Sequence, residues 1–447
     1  MSMVLRTVIA IEATWMLLFC NIFFANAVTN ISFTPSNITV HMGEVETIEY
    51  FVTSIDEGTS CKLYSENEHI AYLEKVIDIS TTGPGSFKVH GNFLGYTFIS
   101  CRNMSIPTRI DDQLDIRCLR RPILVDTIFT ASVGTLVAII YINFGCAVNW
   151  GELRNLLKKP IGPLLGFSGQ FILMPLISYG MGFVLFPNDP TIRLGMFFTG
   201  VAPGGGASNI WTAILEGNID LSILMTTVST LAAFVMIPLW MFTLGVTIFH
   251  DANIAVPYSQ IATYVVGLII PLGIGYLIQR YLVKLGQFLK KILKGFSSLL
   301  ILYIIIFAIV TNLYLFELFS WQIVVAGMVI PWMGYLIGYI VAKILKQSNP
   351  DAIAIAVEIG IQNTGISIFL LRFSLDSLYA DLTTVVPVAV AIMTPIPLGL
   401  LFICMKIKQR FWSGGKTLIT EEEGSPRRSI SSKKVDAPNV DNPVKEA

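Results

Sequence analysis

The amino-acid sequence predicts an all-α polytopic membrane protein with nine transmembrane helices, preceded by a small β-rich domain. The chain of 447 residues is 53% hydrophobic and only 13% charged, whereas soluble domains carry roughly 25% charged residues. Its apolar residues are concentrated between about Asp126 and Cys404 in long runs. Two of these runs are interrupted by glycine or proline together with polar residues. The segments on either side of this region have the composition of ordinary polar protein.

The first 27 residues have the features of a secretory signal. Arg6 supplies the positive charge, Trp15 to Phe24 the apolar core, and Ala25-Asn26-Ala27 a small-residue cleavage site. The apolar run is shorter than the roughly 20 residues of a membrane span. We therefore predict a signal peptide over residues 1–27, with an uncleaved anchor helix as the alternative.

Residues 28–120 are predicted to form a small extracellular domain. Segments such as Asn37–Val40 and Thr47–Val52 are rich in β-branched or aromatic residues, which favours short strands and a β-sandwich. Cys61 and Cys101 are the candidates for a disulfide in the oxidising lumen. Three N-glycosylation sequons agree with export of this domain, at Asn30, Asn37 and Asn103.

The predicted membrane domain covers residues 121–408 and divides into nine spans, most of them longer than the roughly 20 residues that cross a bilayer. The predicted spans are residues 125–147, 161–185, 191–217, 219–246, 257–281, 295–316, 322–345, 350–373 and 382–406. Lys and Arg are concentrated in the odd-numbered connections and after the last span. Because basic loops stay in the cytoplasm, the N-terminus is predicted outside and the C-terminus inside. Residues 409–447 are predicted to be a disordered cytoplasmic tail.

One acidic residue, Glu358, lies deep within a predicted span. A charge at membrane depth costs about 2.5–3.5 kcal/mol on insertion scales, so such residues usually face a cavity and mark an ion or proton path. Gln362, Asn363 and Thr364 follow it next to Gly365, which adds oxygen-bearing side chains where the helix is weakened. The alternative is a protonated carboxyl that joins helices by a hydrogen bond.

The third span is broken by Pro203–Gly206, with Ser208 and Asn209 following at once. Proline has no N–H to donate and glycine tolerates unwinding, so backbone carbonyls are freed there. In a membrane those carbonyls need another partner, and a hard cation such as Na⁺ is suitable. Two broken spans with polar residues at each break indicate the midplane site of a transporter, although either break alone would be read as a kink or a close packing contact.

Other classes of function have little support in the sequence. The 30 basic and 30 acidic residues balance, which argues against a nucleic-acid partner. No P-loop, Cys/His zinc motif or nucleophile–base arrangement is evident, so neither an enzyme nor an organic cofactor is predicted. If two cations shared the single carboxylate of Glu358, the occupied site would be net positive and would favour an anionic substrate.

Three stretches resemble the sodium/bile-acid cotransporter family: Gly200–Ile210 (GVAPGGGASNI), Glu358–Gly365 (EIGIQNTG) and, upstream, Gln170–Pro175 (QFILMP). The resemblance covers roughly residues 125–408, and the exported domain resembles the family branch with an N-terminal extracellular extension. It implies an inverted repeat with a core and a panel domain. It also implies two discontinuous helices that cross in the core and a substrate crevice between the domains.

The resemblance also implies ligands for two sodium sites, carried over by position. The first site would comprise Ser208, Asn209, Ser222, Thr226 and Glu358. The second would comprise Gln170, Glu358, Ile359, Ile361 and Gln362, the isoleucines acting through their carbonyls. The substrate crevice is assigned to Asn209, Asn363 and Thr364.

The expected function is therefore sodium-coupled symport of an organic anion of the bile acid or sulfated steroid class, by alternating access, in the plasma membrane. The expected partners are sodium, the anion and membrane lipid. One alternative is a proton-coupled carrier that uses Glu358, although a proton needs no cage of neutral oxygen ligands. Another is a receptor or adhesion protein that acts through its ectodomain on a non-transporting scaffold.

Overall fold

The structure is a computed structural model that describes residues 30–54, 61–102, 113–121, 124–148, 151, 160–289, 291 and 316–419. The predicted signal peptide, the sequon at Asn103, the sixth predicted span up to residue 315 and the tail from residue 420 lie outside the described residues.

The N-terminal domain consists of two β-sheets. One sheet has the strand order β1-β3-β7-β5 and the other β2-β9-β8-β4-β6. All pairings are antiparallel except that of β2 with β9. The strands are β1 (Asn30–Thr34), β2 (Asn37–His41), β3 (Val45–Ser54), β4 (Cys61–Ser65), β5 (Ala71–Leu73), β6 (Ile77–Ile79), β7 (Gly83–Gly91), β8 (Gly95–Arg102) and β9 (Gln113–Leu119).

The two sheets share one apolar core, to which Ile48 and Val89 contribute from one sheet and Ile99 and Ile116 from the other. Buried and exposed side chains alternate along strands such as β9, because successive side chains of a strand point to opposite faces of the sheet. The β-rich N-terminal domain predicted from the sequence is therefore confirmed.

Cysteine chemistry in this domain involves two adjacent strands and one buried thiol. A disulfide joins Cys61 in β4 to Cys101 in β8, with their Cα atoms 5.6 Å apart. The free thiol of Cys118 lies buried in β9, and burial raises the pKa of Cys118 to about 11. At neutral pH that thiol is therefore protonated and unreactive.

The remainder of the described chain is helical. The helices are α1 (Leu124–Ala147), α2 (Ile161–Leu185), α3 (Pro190–Val201), α4 (Ala207–Ile214), α5 (Ile219–Asp251), α6 (Tyr258–Tyr281), α7 (Trp321–Ile344), α8 (Asn349–Gly360), α9 (Thr364–Ser374), α10 (Ser377–Met393) and α11 (Pro395–Ile419), with a short helical piece at 283–289. Every predicted span that lies within the described residues coincides with helical structure. Within the described ranges, 5 helical segments are long and apolar enough to cross a membrane. The chain is thus a multi-pass membrane protein.

The last helix is described up to Ile419 and so includes the first residues of the predicted tail, which begins at residue 409. The disordered tail itself stays a prediction. Lys406, Lys408 and Arg410 have high helix propensity, which allows the helix to continue beyond its apolar stretch.

The two interrupted spans begin in the same way. Asp189 caps α3 by accepting a hydrogen bond from Ile192 N at 3.1 Å, and Ser348 caps α8 by accepting one from Asp351 N at 3.3 Å. A proline lies in the first turn of both helices, where its missing N–H costs nothing. The two interrupted spans therefore share the same local start signal, an N-cap followed by proline.

The N-terminal domain packs on the helical region through a small apolar cluster. Phe93 and Leu94, in the turn before β8, are buried against Leu378 of α10. The rings of Tyr96 and Tyr379 lie 5.4 Å apart beside this cluster. The domain is therefore seated on α10 rather than held by the chain connection alone.

Candidate cation site at the crossing of two broken helices

The two interruptions cross each other and satisfy part of each other's backbone. Gly204 and Gln362 form an isolated antiparallel bridge. Gly205 N donates to Ile361 O at 2.8 Å, and Asn363 N donates to Pro203 O at 2.9 Å. Unwound backbone at the centre of a helical membrane domain requires such partners, and here each break supplies them to the other.

The carboxyl group of Glu358 lies at this crossing and is 1% exposed. Its Oε2 accepts hydrogen bonds from Ser208 Oγ at 2.7 Å and from Thr226 Oγ1 at 2.8 Å. Its Oε1 is buried and has no hydrogen-bond partner among the described residues. One half of the carboxylate is therefore satisfied by two hydroxyls from α4 and α5, and the other half is left over.

A second group of polar atoms lies beside Gln170 of α2. Gln170 Nε2 donates to Ala202 O at 2.6 Å and to Gln362 Oε1 at 2.5 Å. Gln362 Nε2 in turn donates to Ile359 O at 2.8 Å. This chain of hydrogen bonds uses the donors of both amides and leaves Gln170 Oε1 buried without a partner in the described part of the structure.

Considering only the residues that the structure describes, three acceptor atoms are left unsatisfied around the crossing: Glu358 Oε1, Gln170 Oε1 and, at the start of α4, Asn209 Oδ1. A buried polar group without a partner costs about 1–3 kcal/mol, and more when it is charged. All three are oxygen acceptors, so a bound cation would satisfy them and a hydrogen-bond acceptor would not. One carboxylate with neutral oxygens is a donor set for a hard cation. Among the described residues no cluster of three His, Cys, Asp or Glu side chains is found.

Glycine at position 204 provides the space for the carboxylate. A Cβ atom added to Gly204 would lie 2.3 Å from Glu358 Oε1, well inside van der Waals contact. Only glycine therefore permits the approach of the α3–α4 break to the carboxyl group. At Gly206, by contrast, an added Cβ would meet nothing within 4 Å.

Three of the residues assigned to the first sodium site by resemblance contact one another, whereas the hydroxyl of Ser222 is engaged by Thr212. Ser208, Thr226 and Glu358 are in direct contact. Ser222 lies one turn before Thr226, where its hydroxyl accepts from Thr212 Oγ1 at 3.3 Å. Its main-chain oxygen accepts from Thr226 Oγ1 at 3.0 Å.

Residues assigned to the second site and to the crevice are partly engaged elsewhere. The carbonyls of Ile359 and Ile361 both accept hydrogen bonds, from Gln362 Nε2 and Gly205 N. Asn363 caps α9, since its Oδ1 accepts from Ile366 N at 3.2 Å. Thr364 is the partly buried first residue of α9.

Sequence reasoning missed two hydroxyl-bearing residues next to the site. Ser229 Oγ would lie 3.2 Å from a Cβ on Gly204, and Thr212 is fully buried beside Ser222. The helical spacing of Ser222, Thr226 and Ser229 along α5 places them near one face. This spacing is the sequence feature that could have indicated a role for Ser229.

Aromatic side chains join α9 to its neighbouring helices. The rings of Tyr264 of α6 and Phe369 of α9 lie 5.7 Å apart. A Cβ atom added to Gly134 of α1 would be 3.3 Å from the Phe369 ring. The α9 half of the second interrupted span therefore packs directly against α1 and α6.

Comparison with known proteins gives a family match and several relatives. Residues 135–317 match the Sodium Bile acid symporter family, a region that contains the first broken helix. The chain is 29% identical to the P3 protein of Homo sapiens over 355 residues, which are 75% of this chain and 74% of that protein.

Two further relatives have descriptive names. The chain is similar to the ileal sodium/bile acid cotransporter of Cricetulus griseus, at 32% identity over 57% of this chain and 73% of that protein. It is also similar to the sodium-dependent organic anion transporter of Rattus norvegicus, at 30% identity over 56% of this chain and 67% of that protein.

Proposed function

Because this chain belongs to the Sodium Bile acid symporter family, we propose that it is a secondary active transporter that couples inward sodium movement to uptake of an organic anion. The family and its transporter-named relatives are transporters rather than enzymes. The observation that carries the proposal is the set of unsatisfied buried oxygens at the helix crossing, Glu358 Oε1 foremost.

Sodium is the coupled cargo in this proposal, and two overlapping sites would hold it. The first would use Glu358 with Ser208, Asn209 and Thr226. Ser222 would contribute its main-chain oxygen, or its hydroxyl after a small shift of the side chain. The second would use Glu358 with Gln170, Gln362 and the carbonyls of Ile359 and Ile361. Those carbonyls already accept one hydrogen bond each, but a carbonyl oxygen has a second lone pair for a cation.

The charge balance of this site favours an anionic substrate. One carboxylate with two sodium ions leaves a net charge of +1, and the N-terminus of α9 adds partial positive charge close by. Asn209, Asn363 and Thr364 lie at the start of α4 or α9, next to the crossing, and would line the substrate crevice. Bound sodium would thus raise the affinity for the anion, which is the thermodynamic requirement for coupling.

We place the site within a membrane architecture of nine spans, with the N-terminus outside and the C-terminus in the cytoplasm of the plasma membrane. In it, α1, α6 and the sixth span form the panel, and α2 to α5 with α7 to α10 form the core. With this orientation α9 is in the extracellular half, where Phe369 packs against Tyr264. Residues 1–27 are the signal peptide and 28–120 the extracellular domain, glycosylated at Asn30, Asn37 and Asn103.

The proposed cargo is an amphipathic anion of the bile acid or sulfated steroid class. Its support is the cargo given in the names of the Cricetulus griseus and Rattus norvegicus relatives, together with the aromatic side chains that border the core and the panel. Tyr141 and Phe234, with ring centres 6.0 Å apart, belong to the same cluster. Tyr141 is buried in this structure, so these rings would offer their apolar surface to a steroid skeleton only when the core and the panel move apart.

The test is uptake of a labelled bile acid and a labelled steroid sulfate in cells that express the chain, with choline replacing sodium in a matched series. We expect uptake that needs sodium and saturates with it. Uptake that persists in choline would reject sodium coupling, and uptake that follows an imposed pH gradient instead would identify a proton-coupled carrier. If no anion is taken up while residues 28–120 bind a protein ligand, the receptor alternative would hold.

A further inference from the structure

We propose that Trp240 is a positioning residue for the cation site, because its indole N–H holds the π-helical turn that directs Gln170 toward Gln362. The inference rests on the proposed sodium-coupled function, since its readout is the affinity for sodium. It assigns a role in that function to a side chain on α5 that the site ligands do not include.

The turn in question is a break in the regular hydrogen-bonding of α2. Residues Gly169–Leu173 form a π-helical turn, which contains Gln170 and inserts one extra residue relative to an α-helix. One residue corresponds to a rotation of about 100° around the helix axis. If the turn tightened to an α-helix, Gln170 would be rotated relative to the following part of α2 by that amount.

The same turn leaves one carbonyl without its usual donor. In an α-helix Phe171 O would accept from the N–H four residues later, but that residue is Pro175, which has none. Trp240 supplies the missing donor, since its Nε1 lies 2.8 Å from Phe171 O. Because Phe171 is fully buried, losing this donor would leave a buried carbonyl unsatisfied.

Close packing makes the position of the turn matter for the site. A Cβ atom on Gly169 would lie 2.3 Å from the side chain of Ile359, so α2 touches α8 directly at the turn. Gln170 is held between Ala202 O and Gln362 Oε1 at 2.6 and 2.5 Å. A shift of the α2 backbone at Phe171 would therefore be transmitted to both hydrogen bonds of Gln170.

Trp240 is itself held in place. It packs against the apolar cluster that contains Phe171, Ile237 and Met241, and it directly precedes a second π-helical turn, Met241–Gly245 of α5. The indole therefore links the irregular turns of two neighbouring spans. Its contribution has two separable parts, which are the packing of the ring and the N–H donor.

The substitution Trp240→Phe removes the donor and keeps an aromatic ring. We expect the sodium concentration that gives half-maximal uptake to rise about fivefold, as for one lost hydrogen bond, while half-saturation by the anion at saturating sodium stays unchanged. The matched control is Trp332→Phe on α7, whose Nε1 donates to Met393 O at 3.3 Å rather than to a carbonyl of α2. This control should leave both values as in the wild type.

A double-variant cycle separates positioning from general packing. If Trp240 acts through Gln170, Trp240→Phe should have no further effect on half-saturating sodium in a Gln170→Ala background. Equal and additive effects in both backgrounds would overturn the inference. If Trp240→Phe does not reach the cell surface, Trp240→His is compared with Trp240→Leu, and the His variant, which keeps a ring N–H, should have the lower half-saturating sodium.

The outcomes for the two proposals are distinct. Sodium-independent uptake by the wild type would overturn the proposed function and this inference together. Sodium-dependent wild-type uptake, with unchanged half-saturating sodium in Trp240→Phe, would overturn only the inference. A parallel loss of affinity for sodium and anion would also overturn it, because that pattern indicates a role in packing alone.

Discussion

The two interrupted helices cross at one point but contribute different chemistry to it. The break between α3 and α4 consists of Pro203–Gly206 and contributes backbone and empty space, as the close approach of Gly204 to Glu358 Oε1 requires. The break between α8 and α9 contributes side chains, with Glu358 before it and Gln362 within it. The two breaks thus differ in what they contribute, one providing space and the other the charged side chain.

This difference determines how each break tolerates substitution. Where a break contributes space, adding a single methyl group is damaging although no ligand is removed. Where it contributes a carboxylate, an isosteric change that removes only the charge is damaging although the shape is kept. The α5 hydroxyls lie beside the breaks, since Thr226 donates to Glu358 Oε2 and Ser229 Oγ would be 3.2 Å from a Cβ on Gly204.

The largest expected effect comes from the charge. Glu358→Gln keeps the shape of the side chain but removes the negative charge that the cations require. We expect sodium-dependent uptake to fall more than about 100-fold, in line with the 3–5 kcal/mol typical of losing one partner of a buried charge pair. Uptake measured at equal surface expression checks this, and wild-type rates in the variant would show that the carboxylate has no part in coupling.

The next effect comes from the space. Gly204→Ala places a methyl group where Glu358 Oε1 lies, so the carboxyl group or the backbone must move. We expect half-saturating sodium to rise about tenfold or more, as for overpacking of 1–3 kcal/mol. The control is Gly206→Ala, which meets nothing within 4 Å; if both variants behave alike, the contribution of Gly204 is flexibility rather than room.

A smaller effect is expected for the hydroxyls that hold Glu358. Ser208→Ala and Thr226→Val each remove one donor to Glu358 Oε2. Each should raise half-saturating sodium about fivefold, as for the net loss of one hydrogen bond of about 1 kcal/mol. Thr227→Val is the control, because its hydroxyl donates to Ile223 O instead; an equal effect in that variant would argue against a specific role for the hydroxyls.

The smallest effect is expected at the cap of α9, where the second break uses a side chain to restart a helix. Asn363→Ala removes the acceptor for Ile366 N and should destabilise the protein by about 1 kcal/mol, seen as a lowered melting temperature. Asn363→Asp keeps a capping oxygen and should restore most of that stability. If the Asp variant is no more stable than the Ala variant, the cap contributes little to the stability of the protein, and only the proposed crevice role remains for Asn363.

Parts of this picture could be predicted from the sequence because their determinants are local. The positions of the spans follow from runs of apolar residues, and both interruptions follow from proline, glycine and polar residues within such runs. Glu358 stands out because a buried carboxylate in a span is rare. The β-rich domain follows from alternating residues such as those of β9.

Other parts depend on contacts between distant residues and leave no local pattern. The role of Trp240 depends on a carbonyl 69 positions away in the chain, and nothing around Trp240 indicates it. The seating of Phe93 and Leu94 on Leu378 likewise depends on how the two domains meet. The point at which the last helix ends is not indicated locally either, because polar composition indicates solvent exposure, which a helix extending from a span also satisfies.

The central claim, that Glu358 and the two breaks bind sodium, is tested most directly by the melting temperature of the purified protein. The melting temperature is measured in sodium chloride and in choline chloride at equal ionic strength. A ligand that binds only the folded state stabilises it by RT ln(1 + [L]/Kd), about 2.7 kcal/mol at 100 times Kd. The account predicts a sodium-specific rise in the wild type that is absent in Glu358→Gln, whereas an equal rise in both proteins would contradict it.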